Sequence, residues 1–371
     1  MYDPHDDSWL LSEVVRKYAY GEVLDVGTGT GIQAENALKS RKVKSVVASD
    51  IDPEAIAFCK LKGFKCIVSD LFENIKDRFD TIIFNPPYLP QERKERHIDL
   101  EGGAKGHETI ERFLSTASSR LKPDGQILLL FSSFTPRVDE IIAKHLFEKR
   151  EVAQKKVFFE TLFVYQIQKS ALLRKFELFS VSNISYLAHG KRGIVYKGFY
   201  EGKACAIKVK REESTAINSI VNEQKMLKLV NKKGIGPKLF LGAEDFFVYE
   251  FVPGEYLRDW IETAEKKIVI SVLRQLLDQC YIMDKLGVSK EEMLRPLKNA
   301  IVNEGKVVLI DFERTHKTRE SKNVTQFCQY LRIIALRKVI SINIKTLLQL
   351  VRKYKNTYSK ASLNKIKGLL K

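Results

Sequence analysis

The sequence predicts an open α/β sheet over residues 1–169, followed by a second, strongly basic domain over residues 170–371. Three observations carry this reading. Short apolar runs at 23–26, 45–49, 66–68 and 81–84 have strand length, and a helical stretch at 32–40 separates the first two. The ends of those runs carry glycines, acids and an Asn-Pro-Pro turn, and open α/β sheets bind ligands at that edge. The formal charge of +17 over 371 residues is also uneven, about −1 over residues 1–170 and about +18 beyond them.

The first run, Val23-Leu24-Asp25-Val26, leads into Gly27-Thr28-Gly29-Thr30-Gly31. Alternate glycines permit a tight turn and let backbone approach a ligand closely. Dinucleotide enzymes and ordinary turns share that pattern. The second run ends in Asp50, about twenty residues further on, where a carboxylate can accept both hydroxyls of a ribose. The third ends in Ser69-Asp70-Leu71.

The fourth run, Thr81-Ile82-Ile83-Phe84, ends in Asn85-Pro86-Pro87-Tyr88. Two prolines fix φ and offer no N–H, so the turn is stiff. It can hold a planar NH2 group between the Asn85 side-chain oxygen and the Pro86 carbonyl. Asn-Pro is also a common turn dipeptide. Tyr88 either walls such a slot or is a packed aromatic.

Gly-rich, acidic, acidic and Asn-Pro-Pro-Tyr strand ends in this order resemble the class I S-adenosylmethionine-dependent methyltransferases. Asp6-Asp7-Ser8-Trp9-Leu10-Leu11 is similar to the opening of the HemK/PrmC glutamine methyltransferases. Residues 98–108 are similar to that family's Gly-Gly-x-x-Gly segment, and Leu121-Lys122-Pro123-Asp124-Gly125-Gln126 to its late turn. Without the helical amino-terminal domain of the bacterial members, residues 1–169 resemble the shorter archaeal and eukaryotic branch.

The resemblance implies methylation of the glutamine amide in the Gly-Gly-Gln motif of a class-1 release factor. It assigns Asn85, Pro86, Pro87 and Tyr88 to methyl transfer. Gly27, Gly29 and Gly31 would cradle the cofactor, Asp50 would hold its ribose, and Asp70 with Leu71 its adenine. Ser8 and Asp25 would border its methionine part, although Asp25 could equally be a structural acceptor for the turn. A small zinc-binding activator protein is a further partner the short branch implies. The same turn serves exocyclic amino groups of nucleic acids, and lysine is a substrate in the eukaryotic branch; both stay open as alternatives.

In the second half, Gly190-Lys191-Arg192-Gly193 is followed by Ala206-Ile207-Lys208, and Glu223 lies in a helical stretch at 219–230. A strand at 247–252 enters a hinge, and Val307-Val308-Leu309-Ile310 ends in Asp311-Phe312-Glu313. This order resembles a small two-lobed α+β protein-kinase-like fold of the RIO kind, with lobes meeting near about residue 252. It implies Gly190 and Gly193 over ATP phosphates, Lys208 paired with Glu223, and Asn299 with Asp311 on magnesium. Leu294 stands where the catalytic aspartate belongs. Glu292 is then the candidate base and Lys290 replaces the family's His, so a divergent kinase and a nucleotide-binding or scaffolding pseudokinase are both open.

Arg352, Lys353, Lys355, Lys360, Lys365 and Lys367 give the last helical stretch a basic face. It reads as an RNA or ribosome contact, or as a solvated lysine-rich surface. Five scattered cysteines without a C-x-x-C pair are expected as reduced thiols in a cytoplasm. No apolar run approaches the ~18–20 residues of a membrane span.

Overall fold

Leu10, Leu11, Val14 and Val15 recur at helical spacing and are buried along one face of α1 (Asp6–Tyr18), while Glu13, Arg16 and Lys17 face water. In the computed structural model, which describes residues 4–88, 105–189, 193–210 and 219–370, α1 packs on a seven-stranded sheet. The chain continues through β1 (Gly21–Val26), α2 (Ile32–Leu38), β2 (Val43–Asp50), α3 (Pro53–Leu61), β3 (Lys65–Val68) and β4 (Phe79–Phe84). After residue 104 follow α4 (Glu108–Ala117), β5 (Leu121–Ser132), α5 (Val138–Lys144), β6 (Phe147–Val157) and β7 (Glu160–Lys169).

The strands lie in the order β3-β2-β1-β4-β5-β7-β6. The pairs among β3, β2, β1, β4 and β5 are parallel, and β7 pairs antiparallel with β5 and β6. Strand order reverses at β1, whose two neighbours are β2 and β4. There, consecutive crossovers diverge and leave a crevice beyond the carboxyl ends. Leu24, Ile82, Ile83 and Leu128 are fully buried, each such side chain contributing roughly 1.5–3 kcal/mol.

One local expectation is corrected. Lys122-Pro123-Asp124-Gly125 is no separate turn but a bulge within β5: Phe79 pairs with Leu121 and Thr81 with Gln126, so the extra residues arch out between the two pairings. Phe158 and Phe159 form the tip of the β6–β7 hairpin, 90% and 93% exposed, with Phe158 at φ +43°.

The chain divides into two compact units, Met1–Tyr186 and Leu187–Lys371, later than the 169/170 boundary read from charge. Beyond β7, α6 (Ala171–Leu178) buries Leu173 and Phe176. The fully buried Lys169 ammonium donates to the Leu121 carbonyl at 2.8 Å and to Glu177 at 2.6 Å, tying α6 to the first unit. The division falls inside β8 (Val181–His189).

A second sheet, order β11-β12-β10-β9-β8, uses β9 (Gly193–Tyr200), β10 (Lys203–Lys210), β11 (Leu239–Gly242) and β12 (Phe246–Glu250), with α7 (Ser219–Asn231) between β10 and β11. Beyond it come β13 (Glu255–Tyr256), α8 (Leu257–Thr263), α9 (Lys266–Lys285), β14 (Val288–Lys290), β15 (Ala300–Asn303), β16 (Lys306–Leu309) and β17 (Thr315–Lys317). The helices α10 (Asn323–Leu336), α11 (Ile344–Thr357) and α12 (Lys360–Gly368) follow. α9 buries Val269, Val272, Leu273, Leu276, Leu277, Cys280 and Met283 along one stripe, the axis of this unit's core. Among the described residues, no helix is long and apolar enough to cross a membrane.

Candidate functional site

The carboxyl ends of β1, β2, β3 and β4 open on a cavity of about 330 Å³. Ser8, Asp25, Gly27, Gly29, Asp50, Asp70, Leu71 and Asn85 through Tyr88 all line it. Gly31 does not. It caps α2 at φ +81°, where a Cβ would sit 3.1 Å from the Cys59 sulfur, so its glycine serves the turn itself. The family-like Gly-Gly segment at 98–104 lies outside the described residues.

Asp50 organises the glycine turn: one carboxylate oxygen accepts the Gly29 N–H at 2.8 Å and the other the Asp52 N–H at 3.0 Å. Asp25 is fully buried beneath it and accepts from the Thr28 hydroxyl at 2.6 Å and the Ala34 N–H at 3.1 Å. Burial pushes the Asp25 carboxyl up to about 7, against the opposing pull of the Thr28 and Ala34 bonds and with added repulsion from Asp50. Asp25 is thus a structural acceptor for the turn that also faces the cavity.

Asp70 pairs with Arg112 of α4 at 2.7 Å, and Leu71 takes φ +47° beside it. Tyr88 is both wall and packed aromatic: it lines the cavity, is 8% exposed, and joins the cluster of Leu10, Leu11 and Val14. Its carbonyl accepts the Thr135 hydroxyl at 3.1 Å. Asn85 donates its amide N–H to Asp7 at 2.9 Å, while the buried Asn85 Oδ1 has no hydrogen-bond partner among the described residues. Sequence reading missed Asp7, Thr28, Gln33 and Arg112. The Gln33 side chain donates to the Ser8 carbonyl at 2.9 Å, holding α1 over the cavity.

The second unit has a cavity of about 650 Å³ lined by Gly193, Val195, Ala206, Lys208, Glu223, Tyr249, Glu292 and Asp311, among others. Gly190 lies outside the described residues. Lys208 donates to Glu223 at 2.6 Å and to Asp311 at 3.0 Å, with Glu313 at 3.6 Å. The Asn299 side chain donates to Asp311 at 3.3 Å. Asp311 takes φ +59°, a left-handed conformation that Asp tolerates better than most residues. Burial raises the Asp311 carboxyl, but Lys208 and Lys290 outweigh it and hold it below the usual carboxylate range. Burial leaves Glu223 raised despite Lys208. Lys290, which stands where the resembled family has His, is completely buried; its ammonium donates to the Asp311 carbonyl and lies 3.3 Å from Glu292.

Seven strands in this order, with glycine, acidic and Asn-Pro-Pro-Tyr ends around one cavity, define a class I, Rossmann-like methyltransferase. The methyltransferase small domain family matches residues 5–162. A putative protein N5-glutamine methyltransferase of Methanocaldococcus jannaschii is 35% identical over 177 residues, 44% of this chain and 89% of its own. Mouse methyltransferase HEMK2 is 30% identical over 152 residues, 35% of this chain and 71% of its own. A release factor glutamine methyltransferase of Cereibacter sphaeroides is 30% identical over 145 residues, 34% of this chain and 52% of its own; the match spans about half of that relative. Through about its first 180 residues the chain belongs to the HemK-type N5-glutamine methyltransferase family. Its cofactor is S-adenosylmethionine. The lining fits that group, with carboxylates at the ends of β2 and β3 and, at the end of β4, the acceptor Asn85 Oδ1, unpartnered among the described residues.

Proposed function

We propose that the chain methylates the side-chain amide nitrogen of a protein glutamine, that of the Gly-Gly-Gln motif of a class-1 release factor. The observation that carries this is that Asn85 lines the cavity while its buried Oδ1 has no hydrogen-bond partner among the described residues. A buried acceptor left unpaired costs roughly 1–3 kcal/mol, and an NH2 group is one donor that relieves it. When bound, S-adenosylmethionine supplies an electrophilic methyl on its sulfonium. The amide nitrogen is a poor nucleophile because its lone pair is shared with the carbonyl. Asn85 Oδ1 and the Pro86 carbonyl would each accept one of its N–H groups and aim the lone pair, while Pro87 stiffens the turn and Tyr88 excludes water. Orientation of this kind can supply roughly 7–11 kcal/mol at best. The nitrogen–carbon bond forms as the sulfur–carbon bond breaks, and one amide proton leaves to water.

Asp50 would accept the ribose hydroxyls and Asp70 with Leu71 would border the adenine, with Ser8, Asp25, Gly27 and Gly29 along the methionine part. The open edge at β3, with exposed Ile51, Leu61 and Val68 nearby, supports docking of a small activator protein. Incubating purified release factor beside total RNA with labelled cofactor tests the acceptor: label in the protein's Gly-Gly-Gln glutamine supports this reading, and label in RNA or lysine replaces it.

A second activity rests on residues 187–371, taken as a kinase-like domain that binds ATP and magnesium. What supports it is Lys208 bridging Glu223 and Asp311, with Asn299 on the same carboxylate. Lys208 would hold phosphates below Gly193, and Asn299 with Asp311 would hold magnesium. Glu292 lies 3.3 Å from the Lys290 ammonium, so one of its oxygens is already engaged, which favours nucleotide binding over phosphoryl transfer. Exposed Arg352, Lys353, Lys355, Lys360 and Lys365 support contact with RNA phosphates, a contact that weakens steeply with salt.

A further inference from the structure

Asn85 is an ambiguous tool by itself. Its amide can turn either an acceptor or a donor toward a ligand, and the two ends are distinguished by their hydrogen-bond partners. Only one end, Oδ1, can accept from an NH2 group.

Asp7, in the first turn of α1, is 4% exposed. One of its oxygens accepts the Ser8 N–H at 2.6 Å and the other accepts Asn85 Nδ2 at 2.9 Å, across 78 residues of sequence. A carboxylate only accepts, so this contact commits Nδ2 to Asp7 and leaves Oδ1, without a partner among the described residues, as the acceptor end of a residue that lines the cavity. The helix carrying Asp7 is itself fixed. Gln33 bonds the Ser8 carbonyl at 2.9 Å, the Ser12 hydroxyl bonds Gln33 at 3.2 Å, and Arg16 bonds Asn36 at 2.7 Å.

We propose that Asp7 is a positioning residue that locks the Asn85 amide with its oxygen toward the acceptor nitrogen, so that the site selects groups able to donate an N–H. The inference rests on the reading that Asn85 holds a planar NH2, and it adds the group that decides which end of Asn85 does so. The step served is the same: the amide nitrogen bonds the methyl carbon, the sulfonium leaves as the thioether, and an amide proton departs to water.

Asp7→Asn is nearly isosteric and keeps α1 in place, but it puts an amide opposite an amide. Asn85 can then turn its Nδ2 toward the acceptor. The expected result is a fall in kcat of about a hundredfold, the scale of a misaligned reactant, with S-adenosylmethionine affinity by calorimetry unchanged. Asn85→Asp alone sets two carboxylates against each other and loses transfer to a similar degree. The double variant Asp7→Asn/Asn85→Asp restores a donor–acceptor pair with an acceptor oxygen still facing the cavity, and its kcat rises at least about tenfold above either single variant. A purely structural Asp7 gives no such recovery. Asp7→Asn with wild-type kcat, or a double variant no faster than the slower single, overturns the role of Asp7. Asn85→Ala with full methyl transfer instead overturns the underlying reading of Asn85, which separates the two failures.

Discussion

The Gly29 N–H donates to Asp50 at 2.8 Å, joining the turn after β1 to the end of β2. That bond makes Asp50 a turn support, and the ribose contact proposed for Asp50 would use the same carboxylate. Asp50→Ala should therefore weaken S-adenosylmethionine binding by about 10–100-fold, since a charge-assisted bond is worth roughly 1.5–3 kcal/mol. Calorimetry measures this directly; unchanged affinity would sink the ribose assignment.

Asp25 makes stability depend on pH. Its carboxyl is raised from 3.8 to about 7 by burial, with Asp50 adding to the rise and the Thr28 and Ala34 bonds opposing it. Between those values the folded chain holds a proton that the unfolded chain has released. Folding stability should accordingly fall as pH rises from about 4 to about 7, and level off above. Urea unfolding across that range should show the slope in the wild type and a flatter one in Asp25→Asn.

Much of this site was legible because its parts sit at strand ends, where apolar runs stop at a glycine, an acid or a proline. Asp25, Asp50, Asp70 and Asn85 come together for that reason. Partners brought in by packing were not legible. Asp7 reaches Asn85 and Arg112 reaches Asp70 through helices whose placement depends on the whole sheet, and no local pattern encodes either pairing. The 169/170 boundary followed charge, which tracks surface; the division at 186/187 follows packing by α6.

Asp284 holds the helices of the second unit together. It is 7% exposed and accepts from the Asn323 N–H at 2.9 Å, the Asn323 amide at 2.8 Å, the Val324 N–H at 3.2 Å and the Tyr354 hydroxyl at 2.9 Å. Asp284→Ala strands several of these donors and should destabilise the unit by about 3–5 kcal/mol. Thermal unfolding of the full chain should show an earlier transition, with S-adenosylmethionine binding intact below it.

Lys208, Asp311 and Glu292 separate the versions of the second activity. Asp311→Asn should remove magnesium-dependent ATP binding, because the metal that neutralises the phosphates loses a carboxylate anchor. Lys208→Ala should weaken ATP binding at least about tenfold. Glu292→Gln should leave it in place. Radiolabel transfer in the wild type that Glu292→Gln loses while still binding ATP would identify a working kinase, and ATP binding without transfer in the wild type would identify a pseudokinase.

Mass spectrometry of a class-1 release factor after incubation with the full chain and S-adenosylmethionine tests the central claim most directly. The account predicts one added methyl on the glutamine of the Gly-Gly-Gln motif with the wild type, and at least about a hundredfold less with Asn85→Ala, whose cofactor affinity stays near wild type. An unmodified glutamine alongside methylated RNA or lysine, or a glutamine methylated equally well by Asn85→Ala, would contradict it.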